Sequence, residues 1–216
     1  MRDITKQYDR TSSWTIATSD IDIGSFFKPG GAGLLAMGNC NGIILDRGVD
    51  NLKMGRWAST LIGSPQRKHT ILFITGYRTG YCTGIPGEKT AWAQQVTMLR
   101  KAARDENPHE AFLTDLSHWI KTYRTQGMEI VLCLDANEQW GKEAAIIKFA
   151  QQLDLKNVNQ EFQLADTHPN IANIHRSTTI DFCLCSPNIL EYVYFAASTP
   201  FELVTLGDHC YTAMIL

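Results

Sequence analysis

The sequence predicts an α/β protein, a four-layer α/β/β/α sandwich in which two mixed β-sheets pack together and helices cover the outside. Short apolar segments rich in β-branched and aromatic residues outnumber the helical patterns. Two of these segments, 71–74 and 130–134, do not alternate apolar with polar residues, so both faces of those strands should be covered. A chain of 216 residues, 44% hydrophobic and 19% charged, is long enough for one such core.

The predicted strands are all short, and turn residues separate them. They are 14–18, 33–37, 42–45, 57–62, 70–75, 129–134, 180–185, 192–196 and 210–216. The glycine-rich stretch 28–33 has the composition of a phosphate-binding loop, but no Gly-Lys-Ser/Thr follows it. It is therefore interpreted as a turn into a strand.

Three helices are predicted to form the outer layers. The clearest begins with Asn107 as N-cap, Pro108 in the first helical position and Glu110 placed to bond back, and apolar residues follow at helical spacing. The others are expected over 90–104 and from about 141 to 153. No repeat or linker divides the chain, so we expect a single domain over residues 1–216.

Composition and hydropathy also indicate the cellular compartment of the protein. No apolar run approaches the roughly 18 residues of a membrane helix, and the first residues lack the apolar segment of a signal peptide. We therefore expect an intracellular protein, nuclear or cytoplasmic, with no membrane partner. The six cysteines lie in apolar segments and are predicted to be reduced core residues; Cys183 and Cys185 lack the second pair that a zinc site needs.

Charge is unevenly distributed along the chain. Up to Glu106 there are 14 Lys/Arg against 9 Asp/Glu, and from Asn107 onward 6 against 13, so +5 is followed by −7. A basic half beside an acidic half suits a metal-dependent enzyme that grips a polyanion, although solvated faces explain the same charges. The basic candidates are Arg56, Arg67, Lys68, Arg78, Arg100, Lys101 and Arg104.

The strand 129–134 is followed by Asp135-Ala136-Asn137, which places a carboxylate and an amide two residues apart. Side chains two apart on a strand point the same way, and this pair suits holding a water molecule against a phosphorus atom. The alternative is that Asp135 and Asn137 cap the helix near 141.

Other polar residues occupy similar settings. Tyr77 follows an apolar strand, Asp181 interrupts another, and Asp208-His209 lies near the C-terminus. Each has a structural alternative: a strand-end aromatic for Tyr77, a satisfied strand carboxylate for Asp181, a turn residue and a packed histidine for the last pair. Arg78 could contact a phosphate or only solvate its loop.

Taken in order, these residues resemble the endonuclease/exonuclease/phosphatase superfamily, the fold of pancreatic-type deoxyribonuclease and of apurinic-site endonucleases. The resemblance spans roughly residues 30–216. Residues 31–35 (Gly-Ala-Gly-Leu-Leu), 55–57 (Gly-Arg-Trp) and the Cys-Leu-Asp-Ala-Asn-Glu around Asp135 look most like endonuclease domains that accompany reverse transcriptases in retroelements.

The resemblance implies phosphodiester hydrolysis helped by Mg²⁺, with Mn²⁺ as an alternative ion. Asp135 would orient or deprotonate the attacking water, and Asn137 would fix its partners and a phosphate oxygen. Tyr77 would steady the phosphate or the leaving oxygen, and Asp181 would orient a neighbouring catalytic group. His209 would bind a nonbridging oxygen while Asp208 holds its imidazole; Asp208 is also the one residue assigned to the metal.

This sequence departs from the family pattern at its beginning. The main metal-binding glutamate of the family, in a Gln-Glu context after an early strand, has no counterpart, since Glu88 is the first glutamate. The resemblance therefore implies an N-terminally truncated domain without its first strand, and weak or absent activity. A second departure is Thr179, where relatives often carry a basic residue.

The function expected from these observations is that of a metal-dependent DNA endonuclease of retroelement origin. DNA is the expected substrate, a reverse transcriptase domain is a candidate neighbour in the parent polyprotein, and a monomer is expected. One alternative is a phosphatase acting on phosphomonoesters or inositol lipids in the same fold. The other is a noncatalytic remnant that binds nucleic acid.

Overall fold

The computed structural model describes residues 12–19, 30–64, 70–82, 87, 89–141, 143–162, 180–198 and 212–215. The strands are β1 (Ser13–Ala17), β2 (Ala32–Ala36), β3 (Ile44–Val49), β4 (Trp57–Gly63), β5 (Thr70–Tyr77), β6 (Glu129–Asp135), β7 (Lys156–Asn157), β8 (Asp181–Cys185), β9 (Phe195–Ser198) and β10 (Thr212–Ile215). The helices are a 3₁₀ helix (Gly38–Ile43), α1 (Ala91–Lys101), α2 (Pro108–Arg124), α3 (Ala145–Gln152), α4 (Val158–Glu161) and α5 (Pro187–Leu190).

The centre of the fold is a six-stranded mixed sheet with the strand order β3-β4-β5-β6-β8-β7. Strands β5 and β6 are parallel, and the other neighbouring pairs in this sheet are antiparallel. Helices α1 and α2 lie between β5 and β6 in the chain. They supply the long crossover that a parallel pair requires.

One face of this sheet is covered by α2 and α3. Phe112 and Leu116 of α2 and Ile146 of α3 pack on Leu132 and Leu134 of β6, and all five are buried. Helix α2 forms where the sequence predicts it, because Asn107 accepts a hydrogen bond from the N–H of Glu110 at 2.9 Å and Pro108 occupies the first turn.

The other face of the sheet carries a second β layer. Val131 of β6 and Cys183 of β8 pack there with Ala196 of β9. The antiparallel pair β1–β2 is joined to β4 by a 2.9 Å hydrogen bond between the hydroxyls of Thr15 and Thr60. The predicted α/β sandwich is confirmed. Among the described residues, this second layer contains the antiparallel pairs β1–β2 and β9–β10.

The strand predicted over 42–45 is displaced. Its first half belongs to the 3₁₀ helix, and the strand itself runs from Ile44 to Val49. The strand predicted from 192 is also late, since the N–H groups of Tyr192 and Val193 still bond back to the carbonyls of Ile189 and Leu190. Local turn chemistry overrides apolar composition at both places.

A buried ion network ties the sheet to α2. Arg56, 1% exposed, donates from Nε and Nη2 to the two carboxylate oxygens of Asp50, each at 2.7 Å. Its Nη1 donates to Asp115 of α2 at 2.8 Å, and the guanidinium lies 4.5 Å from the centroid of the Trp57 ring. The interpretation of Arg56 as part of a polyanion-gripping surface is therefore wrong, because its charge is buried and fully paired.

The cysteine prediction is correct only in part. The described cysteines are free thiols, and Cys183 and Cys185 are buried, but Cys40 and Cys133 are exposed. Cys133 lies on the face of β6 that points away from the helices, and its direct cross-strand neighbour is Cys183 of β8. None of the described helices is long and apolar enough to cross a membrane.

Candidate active site

Three of the predicted site residues lie side by side across neighbouring strands. Tyr77, the last residue of β5, pairs in register with Asp135, the last residue of β6. Asp135 pairs in turn with Asp181, the first residue of β8. Directly paired residues point to the same face of a sheet. The phenol and the two carboxylates therefore form one row at one edge of the sheet, on the face away from the helices.

Tyr77 keeps its proton in this row. Its half-buried position, and then the charge of Asp135, raise the pKa of the phenol above its ordinary value. The ring is flanked by Gly30, where an added Cβ would lie 3.5 Å from ring carbons, and Gly30 has a positive φ of 79°. At neutral pH the hydroxyl is thus a hydrogen-bond donor beside a carboxylate.

Asn137 does not continue the direction of Asp135. The strand ends at Asp135, and Asn137 adopts a left-handed φ of 48°. Its N–H donates to Asp135 Oδ1 at 3.1 Å, and its Nδ2 donates to the carbonyl of Arg78 at 2.7 Å. The amide therefore links the ends of β5 and β6, and the assumption that both side chains point the same way is wrong, because the backbone turns between them.

Arg78 is buried and does not extend into solvent. Its side chain is 1% exposed; Nε donates to the carbonyl of His109 at 2.9 Å and Nη1 to Glu138 Oε2 at 2.7 Å. The alternative that Arg78 only solvates its loop is wrong. A phosphate contact by Arg78 stays a prediction, and it would require this ion pair to open.

Glu138 accepts hydrogen bonds from the first backbone N–H groups of α3. Its carboxylate receives the N–H groups of Ala145 and Ile146 at 3.0 and 3.1 Å as well as Arg78. Burial opposes its charge, but these bonds prevail and hold the pKa of Glu138 below its ordinary value. Glu138 thus performs the capping that the sequence offered as an alternative for Asp135 and Asn137.

His109 was not predicted as part of this site, and Glu138 was the weakest candidate, since the sequence is equally explained by a solvated or helix-start glutamate. Burial, and then the charge of Arg78, lower the pKa of His109 to about 4, so the imidazole is neutral at physiological pH. No local signal identifies these contacts, because His109 and Glu138 are 31 and 60 residues from Arg78 in the chain.

The remaining predicted pair, Asp208 and His209, lies outside the described residues. Within the described part of the chain, no group of three His, Cys, Asp or Glu side chains could hold a metal ion. Asp135 and Asp181 are nevertheless neighbouring hard-oxygen donors. That donor set suits Mg²⁺, which commonly binds through one or two carboxylates together with substrate oxygens and water.

Comparison with known proteins gives a structural answer only. No family model and no curated protein matches the sequence. Solved structures do match: an AP endonuclease, LMAP, from Leishmania major has a TM-score of 0.61 at 14% identity, covering 95% of this chain and 70% of that one. The human Nocturnin catalytic domain has a TM-score of 0.56 at 13% identity, covering 98% and 74%.

A third match is the endonuclease domain of TRAS1, a telomere-specific non-LTR retrotransposon. Its TM-score is 0.54 at 12% identity, and the match covers 92% of this chain and 78% of that domain. All three share one deoxyribonuclease I-like architecture. The chain has the endonuclease/exonuclease/phosphatase fold. In this chain, the row described above consists of Tyr77, Asp135 and Asp181.

Proposed function

We propose that this chain hydrolyses phosphodiester bonds in DNA as an endonuclease. The observation that carries the proposal is the row of Tyr77, Asp135 and Asp181, in register across three strands of an endonuclease/exonuclease/phosphatase fold. A protonated phenol next to two carboxylates supplies both a donor for a phosphate oxygen and acceptors for a water molecule. An AP endonuclease and a retrotransposon endonuclease domain among the solved examples support the choice of DNA.

In the proposed reaction, a water oxygen forms a new bond to phosphorus while the bond to the leaving ester oxygen breaks. Asp135 accepts one proton of the water, and the leaving oxygen takes up a proton from the solvent to become a hydroxyl. Tyr77 donates a hydrogen bond to the phosphate. Asn137 holds Asp135 in place, since its N–H donates to the Asp135 carboxylate. Asp181 orients the neighbouring groups of the row, and His209, with its imidazole held by Asp208, is the further candidate for a phosphate contact.

Mg²⁺ is part of the proposal, with Mn²⁺ as the alternative ion. Asp135 and Asp181 are the described residues that would hold it, with Asp208 as the further candidate. The ion would neutralise charge on the phosphate when bound. A retroelement origin is also part of the proposal. The sequence motif from Cys133 to Glu138 and the fold shared with the TRAS1 domain support it.

Plasmid nicking by the purified chain tests the proposal. With Mg²⁺, supercoiled DNA should become open circular, and EDTA should stop the conversion. Asp135→Ala should lower the rate by about 10²- to 10⁴-fold, the usual contribution of a general base. Asp105→Ala is the matched control, because Asp105 is an exposed aspartate outside the row. Nicking that is absent, or that survives in Asp135→Ala, contradicts the proposal.

Parallel substrates separate the two alternatives. Hydrolysis of phosphomonoesters or inositol lipids without nicking would assign the chain to phosphatase chemistry. Salt-sensitive DNA binding without any hydrolysis would identify a noncatalytic nucleic-acid-binding protein, since each phosphate contact adds to the salt dependence of affinity.

A further inference from the structure

An exposed aromatic side chain lies next to the candidate active site. Tyr81 follows β5 and is 66% exposed. Its ring packs edge-to-face against Trp92 of α1, with 5.8 Å between centroids and an interplanar angle of 73°. It also packs against His109 of α2, at 5.9 Å and 85°. Exposed aromatics that occur singly are ordinary, but this one is held in place by two other rings.

The backbone on both sides places this aromatic pair at the row. Gly80 precedes Tyr81, and a Cβ on Gly80 would lie 3.6 Å from Asn137 Oδ1. Ala91 precedes Trp92, and its Cβ would lie 3.6 Å from a Cβ on Gly30, which itself borders the Tyr77 ring. Tyr81 and Trp92 are therefore each one residue away from a contact with the predicted site.

The support beneath Tyr81 is uncharged, and one of its members is tied to a buried arginine. His109 is a neutral imidazole whose backbone carbonyl accepts the buried Nε of Arg78 at 2.9 Å. Edge-to-face contacts fix a ring without covering all of its surface. A preorganised ring that keeps most of its surface in water loses little conformational entropy when a flat ligand stacks on it.

We propose that Tyr81, braced by Trp92, is a stacking platform for an unpaired base of a single-stranded nucleic acid whose phosphodiester lies at Asp135. The substrate class follows from the chemistry: any base offers a π face to an aromatic ring, whereas a base inside a duplex already has both faces covered. The inference rests on the proposed function in taking nucleic acid as the substrate and Asp135 as the position of its phosphodiester. It adds that the site prefers single strands or unpaired nucleotides.

Binding to two labelled oligonucleotides of equal length and charge tests the platform. One is oligothymidine, and the other has the same backbone with abasic sugars throughout; EDTA prevents hydrolysis, and fluorescence anisotropy reports affinity. Oligothymidine should bind more tightly to the wild-type chain. Tyr81→Ala should weaken oligothymidine binding by about 5- to 150-fold, the range of base–aromatic stacking, and leave abasic binding unchanged.

Two further variants control for other effects of the substitution. Tyr81→Phe keeps the ring and should retain the affinity for oligothymidine. Tyr192→Ala removes a tyrosine of similar exposure, 63%, beyond α5, and should have no effect. If Tyr81→Ala matches Tyr192→Ala, or if the abasic strand binds the wild-type chain as well as oligothymidine does, the platform is excluded. Failure of the wild-type chain to bind either strand excludes it as well.

The outcome is separable from the test of hydrolysis. Plasmid nicking that depends on Asp135, combined with oligothymidine binding that does not depend on Tyr81, rejects the platform and keeps the nuclease. Base-dependent binding that requires Tyr81, without cleavage of either the plasmid or oligothymidine when Mg²⁺ is present, supports the platform and rejects the nuclease.

Discussion

Asn137 shows how one residue can hold two strand ends in position. It occupies the left-handed region, with φ 48°, which asparagine tolerates better than most residues. In that conformation its side chain reaches the Arg78 carbonyl while its N–H reaches Asp135. Backbone conformation and hydrogen bonding thus depend on the same residue.

Replacing Asn137 separates these two contributions. Asn137→Ala should lower the free energy of unfolding by about 2 kcal/mol, combining left-handed strain with a lost hydrogen bond. Asn137→Gly removes the same hydrogen bond but not the tolerance for positive φ, so it should be about 1 kcal/mol more stable than the alanine variant. Urea unfolding measures both values. Equal stability of the two variants would show that backbone strain is not important at this position.

At the scale of elements, Arg56 connects three parts of the chain. It leads into β4, binds Asp50 in the turn that follows β3, and reaches Asp115 on α2. Asp50 is also satisfied by the N–H groups of Leu52 and Met54, each at 3.0 Å. The network fixes how the β3–β4 connection and α2 sit against the sheet.

Arg56→Met should therefore be strongly destabilising. It leaves the buried Asp50 carboxylate without its paired cation, at a cost of about 3–5 kcal/mol. Arg104→Met is the matched control, because Arg104 also binds Asp115 but at a more exposed position, and it should cost no more than about 1 kcal/mol. Urea unfolding compares the two.

A double variant identifies the cause of the loss. Adding Asp50→Asn to Arg56→Met removes the orphaned charge and should recover part of the stability. A loss for Arg56→Met that is no larger than that for Arg104→Met would mean that the buried pair does not stabilise the arrangement.

For the whole molecule, the buried groups around Arg78 predict acid sensitivity. His109 has a folded-state pKa of about 4, below its ordinary value near 6.5, so the unfolded chain takes up the proton first. Stability from His109 is complete above pH 6.5 and is lost as pH falls from 6.5 toward 4. The loss should amount to about 1–2 kcal/mol once partial solvent access is allowed for.

Unfolding by urea between pH 7.5 and 4 tests this. His109→Gln should flatten the stability profile over the window from 6.5 to 4. His118→Gln, at an exposed histidine of the same helix, should leave the slope unchanged. Glu138, whose pKa is lowered by its partners, contributes stability that is lost only below its ordinary value near 4.5, so a slope at the acidic end should survive in His109→Gln. An unchanged slope in His109→Gln would refute the assignment.

Sequence patterns predicted most of the central sheet and the helices against it. The capping pattern around Asn107 and the apolar run 130–134 are local signals, and α2 and β6 follow them. Strand β7 and helix α4, with two and four residues, are too short for any periodicity and were missed.

The site residues that lie at the ends of strands were predictable from the sequence. Tyr77, Asp135 and Asp181 were recognised as polar residues in apolar strands, and pairing brings them together. The burial of Arg56 and Arg78 was not predicted. Asp115 and Glu138 lie 59 and 60 residues away from these arginines in the chain, and Asp50, at a separation of 6 from Arg56, gives no periodic signal. Arg56 was therefore mistaken for a surface cation, whereas the phosphate contact considered for Arg78 stays a prediction.

The alignment of Tyr77, Asp135 and Asp181 restricts which changes in chain length this protein can accept. Side chains alternate between the two faces of a sheet, so inserting or deleting one residue within β6 would turn Asp135 toward the helices and place Leu134 or Ala136 in the row. The same change within the turns beyond β5 and β6 leaves the alternation intact. Single-residue insertions should therefore be excluded from 129–135 in functional homologues and tolerated after Asn137.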